Sequence, residues 1–217
     1  MTTLILVPSG IEMQWLADVA LMEPLRSPLK AWKSNRHVWA ICGIGVAATA
    51  LSTSTLIGQL EPSQVVLAGI AGAFTQSGLQ LVDVVQVERD CLADLGYQME
   101  ARMATLEDMG LTHLPTRTSP MGTQFENQVL DPEGKRTSAI TVNRITASQT
   151  RATLLWNRFG SGLEQMEGAG AAMACRLRNL PFYHVRAVSN FVGPRDPSSW
   201  KIQPACEALT HWLARHL

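Results

Sequence analysis

The chain has 217 residues, of which 46% are hydrophobic and 17% are charged, a composition typical of one well-packed domain over residues 1–217. Its 18 basic and 18 acidic residues cancel and no long apolar run occurs, so we expect neither nucleic acid nor a membrane as partner. The four cysteines and five histidines show no metal-type spacing, and the N-terminus lacks a secretion signal, which predicts a cytoplasmic protein without metal or cofactor.

Short apolar runs alternate with amphipathic segments along the chain. The alternation predicts strands at 4–7, 38–42, 65–68, 83–88, 139–142 and 183–189, and helices from about 12 (apolar repeats to 21), at 46–60, from about 163 and at 206–217. Residues 104–136, rich in Pro, Gly, Thr and charge, are predicted to form a loop-rich excursion over the sheet edge. The predicted fold is α/β, a single-domain α/β/α sandwich with a central mixed, largely parallel sheet.

Two segments of small residues follow predicted strands, Gly43-Ile44-Gly45 and Gly69-Ile70-Ala71-Gly72. The first matches the dinucleotide fingerprint G-x-G-x-x-A. That fingerprint also requires an acidic residue at the end of the next strand, but the nearest one, Glu61, precedes that strand. Both segments are therefore predicted to be tight turns. Close packing explains either one alone, whereas two at one sheet edge favour a cleft in which a purine or ribose lies against the backbone.

Two glutamates are candidate catalytic or binding groups. Glu12 is either a solvated carboxylate at a helix start or, if buried under a ligand, a general base with a raised pKa. Glu167 lies in the small-residue run Gly168–Ala172, where an unpaired carboxylate is costly. Its donors are then either ribose hydroxyls or a buried arginine such as Arg186.

Asn190 ends the last predicted strand, and Met166 precedes Glu167. The asparagine either caps the following turn or faces a ligand, and the methionine is more often core filler than a ligand contact.

Together these segments resemble the purine nucleoside phosphorylase/hydrolase superfamily over nearly the whole chain. Within it, the run Ser189–Asp196 and Met166-Glu167-Gly168-Ala169 resemble the futalosine hydrolases. The resemblance implies a nucleoside phosphorylase-like fold, a homodimer or higher oligomer, and a step of menaquinone biosynthesis. It also implies that Glu12 activates water, that Glu167 binds the ribose hydroxyls and that Asn190 contacts the purine. Further substrate contacts are implied for Ile44, Ala71, Gly72, Met166 and Ser189.

The amide of Asn190 favours a 6-oxopurine. Adenine presents one acceptor and one donor at this edge, whereas hypoxanthine presents two acceptors, N7 and O6, to which an amide NH2 can donate. The related adenine nucleosidases carry aspartate at this position, and bacterial phosphorylases carry an arginine in the loop after the first strand, where this chain has Pro8-Ser9-Gly10-Ile11. Hydrolysis of futalosine is therefore the leading expectation. An adenine nucleosidase, a phosphorylase and a nucleoside-binding paralogue without catalysis are the alternatives.

Three residues depart from the futalosine hydrolase pattern. Ala73 stands where a glycine is expected, Gln165 where an acid is expected and Gly170 where an alanine is expected. None removes an expected catalytic group, and the sequence assigns no residue to the 5′ side of the nucleoside.

Overall fold

The computed structural model describes residues 2–99, 102–114, 116 and 121–217. Its helices are α1 (Gly10–Leu16), α2 (Val46–Leu60), α3 (Gln149–Phe159), α4 (Gly168–Arg176) and α5 (Ile202–His216). Its strands are β1 (Thr3–Val7), β2 (Glu23–Pro24), β3 (Ala31–Ser34), β4 (His37–Ile41), β5 (Gln64–Ala73), β6 (Val84–Leu92), β7 (Gly96–Met99), β8 (Arg102–Thr105), β9 (Gln124–Glu126), β10 (Arg136–Thr141), β11 (Leu163–Gln165) and β12 (Phe182–Phe191). Within the described residues, no helix has the length and apolar character that a membrane span requires.

One large mixed sheet organises the fold. Its strands follow the order β11-β10-β6-β12-β5-β1-β4-β3-β2, with β9 paired to β6. The centre, β12-β5-β1-β4, is parallel, and β2 and β3 join their neighbours in antiparallel pairs. Strand β6 is antiparallel to β12 and parallel to β10. Because β11 pairs with both β10 and β5, five strands close into a circuit at one end. The predicted α/β class and the central mixed sheet are confirmed.

Side chains on β1 alternate between two apolar cores. Leu4 and Leu6 pack with residues of α2 and α4, such as Leu56, whereas Ile5 and Val7 pack with residues of α1 and α5. A strand that is buried on both faces needs apolar residues at every position, which explains the continuous run that predicted it. Helices therefore cover both faces of the central strands.

Several element boundaries differ from the sequence-based predictions, and the terminal helix α5, predicted at 206–217, begins at Ile202. Helix α1 ends at Leu16, and a separate turn of 3₁₀-helix follows at Val19–Leu21, where Leu21 is 84% exposed and serves no core. Residues 69–72 are not a turn, because they belong to β5, which pairs with β12 on one side and β11 on the other. Leu163–Gln165 is strand β11, so the next helix begins at Gly168.

Residues 104–136 are less irregular than predicted. The segment starts in β8, which forms a hairpin with β7, and it contributes β9 to the main sheet. Met121 and Phe125 pack in the core beside α4. Residues 115 and 117–120 of this stretch lie outside the described residues. Strands β2, β3, β7, β8, β9 and β11 and helix α3 were not predicted.

Candidate active site

A cavity of about 270 Å³ opens at the carboxyl ends of the central strands. The ends of β1, β4, β5 and β12 meet here, which is where open α/β sheets bind ligands. All eight candidate residues from the sequence line it: Glu12, Ile44, Ala71, Gly72, Met166, Glu167, Ser189 and Asn190. The structure thus brings together side chains separated by up to 178 positions in the chain.

Glu12 lies at the floor of the cavity and is 5% exposed. Ser9 caps α1: its hydroxyl accepts from the Glu12 N–H and donates to Glu12 Oε2 at 2.6 Å. The Ile70 N–H donates to Oε1 at 3.0 Å. Burial raises the pKa of Glu12, although the Ser9 hydroxyl, the Arg186 charge and the Ile70 amide all favour the carboxylate. A carboxyl with a raised pKa is suited to take a proton from water near neutral pH.

Glu167 occupies the position before α4 and is 4% exposed. Its Oε1 accepts from the Gly45 N–H at 3.1 Å, and its Oε2 accepts from Arg186 Nη2 at 3.1 Å. The ion pair with Arg186, one of the two alternatives left open by the sequence, is therefore present. It does not exclude the other, because a carboxylate has about four acceptor sites and can still accept from ribose hydroxyls.

Arg186 forms hydrogen bonds to several of the residues around the cavity, which the sequence did not predict. It is 1% exposed on β12, and its guanidinium contacts Glu167, the Ile70 carbonyl at 3.0 Å and Gln165 Oε1 at 3.3 Å. Its Nε donates to His184 Nε2 at 2.7 Å. An arginine within an otherwise apolar strand was the available signal, since such a residue is almost never fully buried unless it is paired.

The second half of β5 begins with Gly69, where the space beside the backbone is too small for a side chain. A Cβ at this position would lie 2.6 Å from Arg186 Nη1 and 2.7 Å from Glu12 Oε1. The bare backbone therefore lets the arginine and the glutamate approach each other beside the strand. The predicted close approach at this segment is correct, although its partners are the Arg186 and Glu12 side chains and its conformation is a strand.

The Gly43-Ile44-Gly45 turn carries the Ile44 side chain to the cavity. Gly43 and Gly45 have φ values of +85° and +91°, a region that favours glycine. The turn also presents the Gly45 N–H to Glu167. Ile44 is 62% exposed at the mouth of the cavity. The next strand, β5, contains no acidic residue, so the dinucleotide fingerprint lacks its confirming carboxylate.

Asn190 stands at a bulge in β12. Val188 pairs with Ala71 and Asn190 with Gly72, so Ser189 is the extra residue that re-aims the strand end toward the cavity. The Ser189 hydroxyl lies 2.8 Å from Asn190 Oδ1, and Asn190 Nδ2 donates to the Phe191 carbonyl at 3.1 Å. The amide oxygen is thus held by the serine. One of the two N–H groups remains for a ligand, where sequence reasoning counted two.

The remaining walls include residues that sequence reasoning missed. Glu164 is 7% exposed, and its carboxylate accepts from the Thr146 N–H at 2.9 Å and from the Thr146 hydroxyl at 2.5 Å. Burial raises the pKa of Glu164. These bonds hold the loop that presents Ile145, which together with Trp200 gives the cavity an apolar side.

The arrangement places an acceptor for a water proton, an acceptor for sugar hydroxyls and a donor for a base edge around one cavity. Of the described residues that line it, Arg186 alone carries a fixed positive charge, four of its five N–H donors are bound, and its charge is paired with Glu167. An anionic nucleophile such as phosphate therefore finds no unpaired cation among these residues.

Comparison with known proteins identifies what the chain resembles. The family model of the phosphorylase superfamily matches residues 4–215. The futalosine hydrolase of Streptomyces coelicolor is 34% identical over 77% of this chain and 73% of its own length. The futalosine hydrolase of Thermus thermophilus is 28% identical over 99% of this chain and 94% of its own length. The solved structure of 5′-methylthioadenosine/S-adenosylhomocysteine nucleosidase from Helicobacter pylori with butyl-thio-DADMe-Immucillin-A superposes with a TM-score of 0.82 at 17% identity, covering 100% of this chain and 97% of that one.

Proposed function

Because the chain belongs to the phosphorylase superfamily and, within it, to the futalosine hydrolases, we propose that it hydrolyses the N-glycosidic bond of futalosine. The products are hypoxanthine and dehypoxanthine futalosine. The observation that carries the proposal is the convergence of Glu12, Glu167 and Asn190 on one cavity at the carboxyl edge of the sheet. The residue roles below are part of the proposal.

Glu12 acts as the general base. Bond cleavage leaves an oxocarbenium-like ribose, and a water molecule adds to its anomeric carbon. The Glu12 carboxylate takes the proton that the water loses and afterwards releases it to solvent, and the leaving base takes one proton from solvent to become neutral hypoxanthine. The Ser9 hydroxyl and the Ile70 N–H hold both oxygens of the carboxylate, so it is oriented before the substrate arrives.

Glu167 orients the sugar, and Met166 packs against it. The Gly45 N–H, the Met166 N–H and Arg186 fix the carboxylate, which leaves about one of its four acceptor sites for the ribose hydroxyls. Ala71 and Gly72 offer a flat surface of small residues for a purine or ribose ring, and Ile44 adds an apolar side chain at the mouth.

Asn190 stabilises the departing base. Its free N–H donates to the N7/O6 edge of a 6-oxopurine, where negative charge develops as the bond breaks. An amide does not titrate, so it acts by hydrogen bonding and not by proton transfer. The second acceptor of the base is then served by the same NH2 only if the bond to the Phe191 carbonyl is released.

The test is base release from futalosine, aminofutalosine, inosine and methylthioadenosine, with and without phosphate. We expect hypoxanthine from futalosine at a rate that phosphate does not change. A phosphate requirement would establish phosphorolysis, and adenine release alone would establish an adenine nucleosidase. No base from any substrate, together with tight nucleoside binding in calorimetry, would establish a binding paralogue.

We also propose that the chain works as a homodimer in the cytoplasm, in menaquinone biosynthesis. Ile11 and Ile44, which are 63% and 62% exposed at the cavity mouth, are suited to contact a second copy that closes the cleft. Light scattering of the purified protein tests the dimer. The menaquinone content of a deletion strain tests the pathway.

A further inference from the structure

Three buried polar side chains form a row behind the cavity: Asp90 on β6, then His184 and Arg186 on β12. The reaction as proposed uses neither Asp90 nor His184. Asp90 is 0% exposed, and His184 and Arg186 are each 1% exposed. His184 and Arg186 are two positions apart on one strand, so they point to the same face.

The hydrogen bond to Arg186 fixes the tautomer of His184. Arginine can only donate, so the Nε2 atom, 2.7 Å from Arg186 Nε, must accept. The neutral ring then carries its proton on Nδ1, which lies 3.1 Å from Asp90 Oδ2 in a contact too bent for a well-formed hydrogen bond. Burial lowers the pKa of His184 to about 4, so the ring is neutral at physiological pH.

Asp90 is itself held in place by two further donors. The Thr141 hydroxyl donates to Oδ1 at 2.5 Å, and Gln165 Nε2 donates to Oδ2 at 3.1 Å. A Cβ on Gly168 would lie 1.9 Å from Oδ2, so the glycine at the start of α4 leaves room for the carboxylate. The base of the row is therefore rigid.

The orientation of the Arg186 guanidinium depends on this row. Nη1 donates to the Ile70 carbonyl and Nη2 to Glu167, while Nε donates to His184. These bonds fix the guanidinium on three sides. Removing the histidine acceptor leaves a buried N–H unpaired and frees the group to tilt.

Arg186 is the charge that Glu12 depends on. The charged or titratable groups that act electrostatically on Glu12, or on which it acts, are Arg186 on β12, Glu167 before α4, Cys42 after β4 and Cys206 on α5. Burial raises the pKa of both thiols to about 12, so they are neutral. Within the described part of the chain, Arg186 therefore offsets the like charge that Glu167 presents to Glu12.

We propose that His184, backed by Asp90, is a positioning residue that holds the Arg186 guanidinium between Glu12 and Glu167. This inference rests on the proposed nucleosidase activity. It has a kinetic consequence: when Arg186 tilts away, Glu12 becomes harder to ionise and the acid limb of the pH–rate profile moves to higher pH.

The test compares His184→Gln with His184→Leu. Both remove the imidazole, but the glutamine amide can accept from Arg186 and donate to Asp90, whereas leucine can do neither. We expect His184→Gln to retain a third or more of kcat with the acid limb in place. We expect His184→Leu to lose about 10- to 100-fold in kcat, with a smaller change in KM and the acid limb at higher pH, because small misplacements of catalytic groups have effects of this size.

Thermal melting checks that both variants fold. If His184→Leu does not fold, His184→Met replaces it, because methionine is more adaptable and also lacks an oxygen or nitrogen acceptor. Equal activity and equal acid limbs in the glutamine and apolar variants would overturn the proposal.

An activity-independent readout is ¹⁵N NMR of the histidines, with His184→Gln used for assignment. We expect a neutral Nδ1–H tautomer that does not titrate between pH 5.5 and 9; an Nε2–H tautomer would also overturn it. If the wild type releases no base, the proposed function fails while the NMR result still decides the tautomer.

Discussion

The replacement of Asn190 by alanine tests most directly how the base is recognised. The amide oxygen lies 2.8 Å from the Ser189 hydroxyl, and one N–H is bound to the Phe191 carbonyl. Alanine removes the N–H left for the substrate together with the amide's bonds to Ser189 and Phe191. Of these three bonds, only the first reaches the leaving group.

The magnitude follows from how well this donor is held. Removing one preorganised donor from a site of developing negative charge costs about 2.7–4 kcal/mol, or 10²- to 10³-fold in kcat. Asn190 is only partly buried, which favours the lower end, so we expect about a 100-fold loss with hypoxanthine nucleosides. Hypoxanthine can also accept the second N–H once the bond to the Phe191 carbonyl is released, whereas adenine presents only N7 as acceptor there. The slower turnover of an adenine nucleoside should therefore fall less, and the preference for hypoxanthine should shrink.

The assay is steady-state release of hypoxanthine and adenine, followed by chromatography. Asn157→Ala is the matched control, because Asn157 is an exposed asparagine on α3 that does not line the cavity. A loss of less than about threefold for Asn190→Ala would refute the proposed role of the donor. Equal losses for both bases would refute the argument that the amide selects a 6-oxopurine.

Two further changes probe Glu12 and the packing beneath the site. Glu12→Gln should reduce kcat by about 10²- to 10⁴-fold, measured by the same base-release assay, because the general base is lost. Burial raises the folded-state pKa of Glu12, so the wild type loses stability as the pH rises above the ordinary glutamate pKa. The glutamine variant has no such group, so melting scans should show its stability relative to the wild type increasing over that pH range. A stability difference that does not change with pH would contradict this. Gly170→Ala should cost about 1–3 kcal/mol of unfolding free energy in urea titrations, because the new methyl would lie 2.5 Å from the Val46 carbonyl oxygen. Gly58→Ala on α2, where a Cβ meets nothing within 4 Å, is its control and should stabilise by about 0.5–1 kcal/mol.

Local pattern predicted the buried strands and α2, but not the elements formed by long-range pairing. Helix α2 was predicted at its observed bounds, between the Gly43-Ile44-Gly45 turn and the next buried strand. By contrast, Gly69–Gly72 has low strand propensity and is held in β5 by β12 and β11 on its two sides. Leu163–Gln165 is too short for any periodicity, and it becomes a strand through its pairing with β5 and β10.

The same distinction applies to the candidate site. The predicted residues that end strands or begin helices reach the cavity because parallel strands place their carboxyl ends at one edge. Asp90 and His184 lie within strands, and nothing local indicates that residues 94 positions apart come within 3.1 Å of each other. Arg186 was considered only as a possible partner of Glu167, and its contacts with Ile70 and His184 depend on the register of β12.

The three departures from the futalosine hydrolase pattern are each matched by a neighbour in this fold. Ala73 is fully buried in an apolar cluster with Leu163 and does not line the cavity. Gly170 leaves room for the carbonyl of α2, which an alanine would not.

Gln165 is the departure that bears on charge, because it lines the cavity and its NH2 donates to Asp90 and to the Thr141 hydroxyl. A glutamate there would turn that donor into a second acceptor facing Asp90. Buried Glu12, Asp90 and Glu167 already lie around the single arginine Arg186, and buried Glu164 lines the same cavity. A further carboxylate would leave another buried negative charge without a cation, a costly arrangement. The amide at position 165 therefore keeps Arg186 available to the two glutamates that face the cavity.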